Sequence, residues 1–466
     1  MNPRTFRPYE PDQMFLMPPS LKEWLPEGHL AYFVMDIVGG LDLSKIIDGY
    51  GGPARGTVPY APRMMVSVLV YGYSVGIVSS RRIARGLEED VAFRVISAGE
   101  HPDFRTISDF RKEHLDALKG LFVQVLKLCK KSGLVKLGRV ALDGTKIKAN
   151  ASKHKAMSYE RLTKEEAKLK GEVEALLRQA GETDEREDAE YGRDKRGDEL
   201  PEELAYRESR LRKILEAKEA LEREALEAAE ERKKEIEERE SQRDGRGRKP
   251  SEPDPSPNPK SQRNFTDPES RIMPSSSDKG SFVQGYNCQA VVDGEHQVIV
   301  AEDVTQETND KQQAVPMLEQ VKENTGRKPE QALMDAGYFS EDNIKEGAKL
   351  AGELFIPPNR QKHGEQSPAA PRGRIPESLS VANRMRRKLR TERGREVYAK
   401  RKEIVEPVFG QIKQGRGLRQ FLLRGLSKVK GEWSLICTTH NLLKLWRAAG
   451  MTAGRPSGTR IWAFSG

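Results

Sequence analysis

The sequence predicts an α/β protein: a mixed five-stranded sheet flanked by helices, interrupted by a long helical insertion and preceded by an all-α N-terminal domain. Three observations lead there. Apolar residues recur at three-to-four spacing up to about residue 137; strand-like segments alternate with helical ones from about 138 to 157 and again from 281; and the block between is dominated by Glu, Lys, Arg and Ala. The chain has 466 residues, enough for about three domains. Charged residues make up 32% and hydrophobic ones 36%, with a mean hydropathy of −0.72. That polarity is compatible with a sizeable core only if it is concentrated in one segment, and the central block is that segment.

Residues 1–137 read as helices over Leu30–Ile37, Met64–Tyr73, Ser80–Ile96 and Ile107–Cys129, the last with Thr106 or Ser108 as N-cap. The apolar run Met64–Ser80 is 17 residues long, short of the roughly 20 that a spanning helix needs, and reads as a buried helix. The N-terminus, MNPRTFRPYEPDQ, carries charges and prolines where a signal peptide needs an apolar stretch. Secretion and membrane insertion are set aside. Cys129, Cys288 and Cys437 lie far apart with no CxxC pair, which fits a reducing cytoplasm rather than a disulfide framework or zinc ribbon.

From 138 the pattern changes. GRVALDGTKIKAN suits a strand ending between Asp143 and Ile147. Over 158–243 a partial stripe of Leu204, Leu211, Leu215, Leu221 and Ala225 suggests long helices in an antiparallel hairpin. Pro250, Pro253, Pro255, Pro257 and Pro259 follow among polar residues and read as a flexible linker. GYNCQAVVD and HQVIVAEDV, separated at Gly294-Glu295, form an antiparallel hairpin. A helix over Lys311–Asn324, a strand ending at Asp335, a helix over Glu341–Ala351 and a strand over Glu353–Ile356 complete an alternating run. A basic helical region then reaches about 449, leaving 450–466 as a tail. With 158–280 as an insertion, 138–157 and 281–449 make one core: three antiparallel strands, then two joined by right-handed crossovers. That layout is ribonuclease-H-like.

The informative acids in such a sheet stand at strand ends. Asp143 lies in Ala-Leu-Asp-Gly-Thr and Asp335 in Leu-Met-Asp-Ala-Gly-Tyr, each after an apolar run and shortly before glycine. Either alone reads equally well as a turn residue or N-cap. If the first and fourth strands are neighbours, the two carboxylates meet, and a divalent cation held by hard oxygens relieves their repulsion. A third acid is expected from the C-terminal helix, where Glu403 and Glu406 are available. Over 371–430 there are 18 Lys and Arg against 5 Asp and Glu, including Arg384, Arg386, Arg387 and Lys388. The net charge of the whole chain is only +9, so the positive excess sits beside the acids; in isolation such a run reads as a solvated face, and beside the acids a polyanionic substrate explains both features. Ser79-Ser80-Arg81-Arg82, after Gly76, could open a DNA-reading helix, or be a helix N-cap with exposed arginines. The seven histidines show no metal-ligand spacing, and there is no P-loop, HExxH or GxSxG.

The segments ALDGTKIKAN (141–150), GYNCQAVVD (285–293), DAGYF (335–339) and VEPVFGQIK (405–413) resemble bacterial insertion-sequence DDE transposases of the IS-four/IS-five-like superfamily, most closely the IS-eleven-eighty-two group. In that superfamily the third acid stands in a signature of Tyr, two residues, Arg, three residues, Glu, six residues, Lys. Glu406 and Lys413 keep the final spacing; Tyr398 and Arg401 keep the first, but Arg401 lies one residue too far from Glu406 and Lys402 stands where Arg is expected. The resemblance implies Asp143, Asp335 and Glu406 as catalytic ligands of two Mg²⁺ ions, with Mn²⁺ as a substitute. It also implies that Tyr398, Arg401, Lys402 and Lys413 contact DNA; the basic region adds Arg384, Arg386, Arg387 and Lys388 as candidate DNA contacts, and the helix-turn-helix reading adds Arg81 and Arg82. The function expected is cleavage at element ends and strand transfer into target DNA. The expected partners are double-stranded DNA, as terminal inverted repeats and target, and a second copy in a homodimer, in a nucleoid-associated cytoplasmic protein. A ribonuclease-H-fold nuclease without strand transfer, or a non-catalytic DNA-binding derivative, are the alternatives. On an ideal helix Lys402 and Lys413 lie about 40° and 20° from Glu406, on one face, with Pro407 as a point of kinking or restart.

Overall fold

The computed structural model describes residues 20–50, 58–191, 202–241, 251–274, 280–359, 373, 376 and 378–450. The N-terminal helices are α1 (Leu30–Gly40), α2 (Ser44–Ile47), α3 (Pro62–Ser74), α4 (Ser80–Glu89), α5 (Val91–Ser97), α6 (Phe104–Glu113) and α7 (Leu115–Lys131). Pro62 opens α3, where a missing N–H costs nothing, and every residue from Met65 to Ser74 is buried. The periodic run Ser80–Ile96 is two helices rather than one. Asp90 ends α4, and its carboxylate accepts the N–H groups of Ala92 and Phe93 to start α5. The run Ile107–Cys129 breaks likewise at His114. Its first helix is capped by Asp103, not Thr106 or Ser108, with Oδ1 accepting from Arg105 N at 2.6 Å and Thr106 N at 2.9 Å.

The sheet begins with β1 (Arg139–Lys148). After β2 (Ala156–Ser158) come the long helices α8 (Tyr159–Tyr191) and α9 (Glu202–Ser241), then β3 (Gln262–Asn264), β4 (Arg271–Pro274), β5 (Phe282–Asp293) and β6 (Ile299–Thr305). The remainder is α10 (Ala314–Thr325), β7 (Gln331–Leu333), α11 (Glu341–Leu350), β8 (Glu353–Phe355), α12 (Val381–Arg390), α13 (Glu392–Gly410) and α14 (Leu426–Ala448). β1 pairs antiparallel with β5, from Val140↔Asp293 to Lys148↔Gly285, and parallel with β7, from Arg139↔Gln331 to Ala141↔Leu333. β8 lies parallel beyond β7, and β6 antiparallel beyond β5. The main sheet has six strands, not five, because β4 takes the part of the β5 edge that β6 leaves open, pairing Arg271↔Gly285 to Pro274↔Phe282. Asp143 does not end its strand. It stands midway along β1, two residues past the last pair with β7.

Helices α8 and α9 pack against each other, and the two-stranded β2–β3 sheet, paired Ala156↔Asn264 to Ser158↔Gln262, clamps their base. Their apolar seam is Leu162, Leu169, Ile214, Ala217 and Leu221, with Leu211 alongside. Of the anticipated stripe, Leu215 and Ala225 are only half-buried, and the side chain of Leu204 lies outside the described residues. The seam runs through Ile214 and Ala217 instead, and ion pairs flank it, Lys218 to Glu166 at 2.7 Å and Arg207 to Glu172 at 2.9 Å. Part of the proline run, including Pro250, lies outside the described residues. Its last residues are tied down rather than free: Pro259 O accepts from Glu160 N at 3.2 Å, and Tyr159 N donates to Ser261 O at 2.8 Å.

One hydrophobic core runs from Leu30 to Leu445, spanning the N-terminal helices, the sheet and α14. Helix α14 packs against α7, α3 and β6 at once, and Trp433 on it is fully buried with Nε1 donating to Gln289 O at 3.1 Å. Buried polar groups close the same junction. The Glu432 carboxylate accepts from Leu422 N and Leu423 N at 3.0 Å, and Arg111 Nη1 donates to Tyr73 Oη at 3.1 Å. Gly76 has φ +80, and a Cβ there would lie 2.3 Å from Arg416 O, so no other residue fits this close approach. Cys129, Cys288 and Cys437 are all buried and free. Among the described residues no helix is long and apolar enough to cross a membrane.

Glu302, on β6, is buried, and desolvation pushes its carboxyl up to about 8. In the unfolded chain it ionises near its ordinary value, so the folded state binds more protons between those limits and loses stability as pH rises toward 8. Glu302→Gln is therefore expected to melt higher than the parent at pH 8.5 and nearly level with it at pH 5. Calorimetry at the two pH values checks this; equal differences at both would refute it.

Candidate active site

The β1–β7 register builds the site. Asp335 stands two residues past Leu333 as Asp143 stands two past Ala141, so parallel pairing sets the two carboxylates side by side beyond the last paired residues. Asp143 Oδ2 accepts from Arg401 Nη1 at 2.8 Å and Oδ1 from Gly144 N at 2.9 Å. Burial pushes the Asp143 carboxyl up to about 6, Arg401 opposes that, and the negative charge of Asp335 adds to it. Asp335 caps the short turn Ala336–Tyr338, accepting from Gly337 N at 2.8 Å. Tyr398 hydrogen-bonds Arg401 from one turn earlier on α13, and burial pushes its phenol up to about 12, so it stays protonated.

A second half of the site comes from β5 and the loop after β6. Asp310 Oδ1 accepts from Asn287 Nδ2 at 2.6 Å and Gln289 Nε2 at 2.7 Å, with Lys146 Nζ at 3.8 Å. Gln289 Oε1 in turn accepts from Tyr338 Oη. The sequence reading missed Asp310, Asn287, Gln289, Tyr338 and Lys146. One signal was available: Asn287 and Gln289 are polar residues at alternate positions of an otherwise apolar strand, hence on one face.

Of the anticipated residues, the structure brings together Asp143, Asp335, Tyr398 and Arg401. Glu406 is exposed, and its carboxylate makes no hydrogen bond or ion pair with a described residue. On α13 it points about 140° from Arg401. The helix continues through Pro407 without restarting, and a π-helical turn, Gln411–Gly415, follows. That turn breaks the ideal phase. Lys413 accordingly faces β1, donating to Lys146 O at 2.9 Å, and does not share the exposed face of Glu406 and Lys402. Glu403 pairs with Lys400 at 2.8 Å. Arg384 and Arg386 are exposed, whereas Arg387 and Lys388 are half-buried; Lys388 Nζ donates to Leu354 O at 3.1 Å and lies over the Phe355 ring. Arg81 and Arg82 are exposed on α4, Arg81 lying over the Phe104 ring. His440 is buried against Gln411 and Gln297 and away from the acids, a packing role. Among the described residues no group of three or more His, Cys, Asp or Glu side chains is gathered as a metal-holding set.

A methyl group on Gly144 would lie 2.6 Å from Asp310 Oδ1, 2.7 Å from Gln289 Nε2 and 3.0 Å from Asn287 Oδ1. Gly144→Ala is expected to cost about 1–3 kcal/mol by overpacking. A thermal melt checks this, and a parental melting temperature would refute the close-packing argument.

Residues 257–442 match the family model described as Transposase DDE domain, covering β3 to α14 and so including Asp335 and Glu406 but not Asp143. Residues 19–113 match a second, described as Transposase domain (DUF772), over the N-terminal helices. No curated protein and no solved structure matches the chain. With transposase domains matched over both its N-terminal helices and the greater part of its sheet, and two aspartates set together by strand register, the chain is an insertion-sequence transposase of the DDE type, a DNA-cutting enzyme.

Proposed function

We propose that this transposase cuts DNA at the ends of its element and joins the freed ends to target DNA by metal-dependent phosphoryl transfer, with Asp143 and Asp335 at the centre. The observation that carries the reading is the β1–β7 register, which puts these two side chains together from distant parts of the sequence. The sheet order β6-β5-β1-β7-β8, antiparallel on one side of β1 and parallel on the other, supports a ribonuclease-H-like core. The four segments shared with the IS-eleven-eighty-two group support placement there. In this reading α8 and α9 belong to an insertion at 158–280, residues 1–137 contribute to DNA-end binding, and processing of two ends together calls for a homodimer.

The donor chemistry fits a divalent cation such as Mg²⁺. Asp143 and Asp335 offer hard carboxylate oxygens, and the wholly buried Asn287 Oδ1, close by Gly144, has no hydrogen-bond donor. Asp143 and Asp335 would hold it; Glu406, the third carboxylate that the motif implies, lies about 140° around α13 from Arg401 and would have to turn toward them to join. When bound, such ions stabilise charge on the attacking and leaving oxygens of a phosphodiester. The chain's own residues do the rest. Arg401 balances Asp143 and is placed to take a phosphate oxygen, while Tyr398, protonated at neutral pH, orients Arg401. Lys402, Arg384, Arg386, Arg81 and Arg82, all exposed, would position the DNA backbone without reading bases.

Two experiments test this. Glu406→Gln, nearly isosteric but uncharged, is expected to abolish Mg²⁺-dependent cleavage of element ends while leaving DNA binding almost unchanged, and Glu403→Gln to keep most activity. The reverse pattern would move the assignment to Glu403. If the 371–430 region neutralises about six phosphates, log K should fall against log salt with a slope near −5. A slope near zero for the intact protein would remove the basic region as the DNA-binding face.

A further inference from the structure

Strand register brings Asp335 to the site, but the strand itself stops short of it. The last ladder bond before the acid is Met334 N to Phe355 O at 3.1 Å. From there the chain enters the turn Ala336–Tyr338, which Asp335 caps through Gly337 N at 2.8 Å. A Cβ on Gly337 would lie 3.0 Å from Asp335 Oδ1, so the turn is packed closely against the carboxylate it presents. The direction of that carboxylate therefore follows the turn.

Tyr338 is the fixed end of the turn. It is fully buried, and its carbonyl accepts from Asn343 Nδ2 at 2.7 Å. Its hydroxyl donates to Gln289 Oε1. Gln289 is paired with Gly144 in the β1–β5 ladder, whereas Asp143 is paired with Ala290, so the Gln289 side chain leaves the sheet on the face opposite to Asp143. There its orientation is set from behind, because Nε2 donates to Asp310 Oδ1 at 2.7 Å and Asp310 is itself held by Asn287 Nδ2 at 2.6 Å. A carboxylate only accepts, so it takes the NH₂ end of the amide and leaves Oε1 turned toward Tyr338. Reversing the amide would set a carbonyl oxygen against that carboxylate, so the buried chain has one satisfied arrangement. Burial, and then the charge of Asp310, push the Tyr338 phenol above its ordinary range, and the hydroxyl keeps the proton it donates.

We propose that Tyr338 is a positioning residue for Asp335: the chain Tyr338–Gln289–Asp310, anchored on the far face of the sheet, fixes the turn and with it the direction in which Asp335 presents its carboxylate. Gln289 and Asp310 ligate nothing in this arrangement; they give the Tyr338 hydroxyl its acceptor. The inference rests on the reading of Asp335 as one of the acid pair.

Cleavage of element ends by the full chain, with kcat and KM for DNA taken separately and well below the melting temperature, tests this. Tyr338→Phe keeps the buried ring and removes the donor; kcat is expected to fall about tenfold, the worth of one hydrogen bond, with KM unchanged. Gln289→Glu sets two carboxylates together and should lose as much. Adding Asp310→Asn to Gln289→Glu restores one amide and one carboxylate with their places exchanged, and most of the lost kcat should return. In the Tyr338→Phe background Gln289→Glu should cost nothing further, whereas a residue that merely supports the fold would subtract again. Thermal melts without Mg²⁺ give a readout independent of activity: lowered in Gln289→Glu and regained in the exchanged pair. Parental kcat in Tyr338→Phe, with Asp335→Asn inactive, overturns this inference alone; parental kcat in Asp335→Asn overturns the acid-pair reading and this inference with it. If Tyr338→Phe does not fold, the exchange decides. Loss in Gln289→Glu that Asp310→Asn recovers supports the proposal, and no loss, or loss without recovery, overturns it.

Discussion

Two carboxylates held side by side by strand pairing are the constraint around which this molecule is organised. Parallel register between β1 and β7 leaves Asp143 and Asp335 no alternative but to meet. Their mutual repulsion, together with partial burial, is an unfavourable term that the fold has to offset. Arg401 does so from α13, and Tyr398 keeps the guanidinium in place. Gly144, on the opposite face of β1, leaves room for Asp310, a Cβ there falling 2.6 Å from its Oδ1. Much of the local sequence thus serves an electrostatic problem that the sheet itself creates.

That problem can be held in a fixed geometry because the scaffold around it is rigid. Helix α14 is packed on one side by the N-terminal helices and on the other by β6, within a single core. Buried polar groups specify the junction: Glu432 takes the N–H groups of Leu422 and Leu423, and Arg416 Nη1 donates to Thr439 Oγ1 at 2.7 Å. A buried carboxylate or guanidinium costs stability unless its hydrogen bonds are made, so each has one satisfactory arrangement. The segment joining α13 to α14 carries Lys413 at one end and Arg416 just beyond, so the basic edge of the site is fastened directly to the core.

The long hairpin of α8 and α9 follows a different logic. Its seam is narrow and its surface rich in ion pairs that are individually weak in water. What fixes it to the body is the short β2–β3 sheet and the bonds from Arg263 and Arg271 to Glu224, at 2.6 and 3.1 Å. A hairpin clamped at its base leaves β1 and β5, on either side of it in the sequence, free to pair, and they keep nine consecutive partners across this long excursion of the chain.

The sequence by itself determined the order of the longer elements, since hydrophobic period and turn chemistry are local properties; the short β2, β3 and β4, of three or four residues each, carry too little pattern to be read. Alternation in GYNCQAVVD, the three-to-four spacing of α7 and the apolar run before Asp335 were enough to arrange a mixed sheet and to single out Asp143 and Asp335. Breaks at Asp90 and His114 were not visible: the Asp90 cap in the middle of a periodic run changes nothing in its period, and His114 caps nothing with its side chain. Tertiary structure alone decided what stands next to the acids. Asp310 lies in a loop with no period to mark it, and only the packing of β6 and β1 on β5 brings it to Gly144. Likewise Lys413 was set on the face of Glu406 by ideal helical phase, and a single π turn moved it to β1. Local pattern fixes which face a residue takes within its own element; which residues meet is settled by long-range pairing and by the irregular turns that the pattern does not encode.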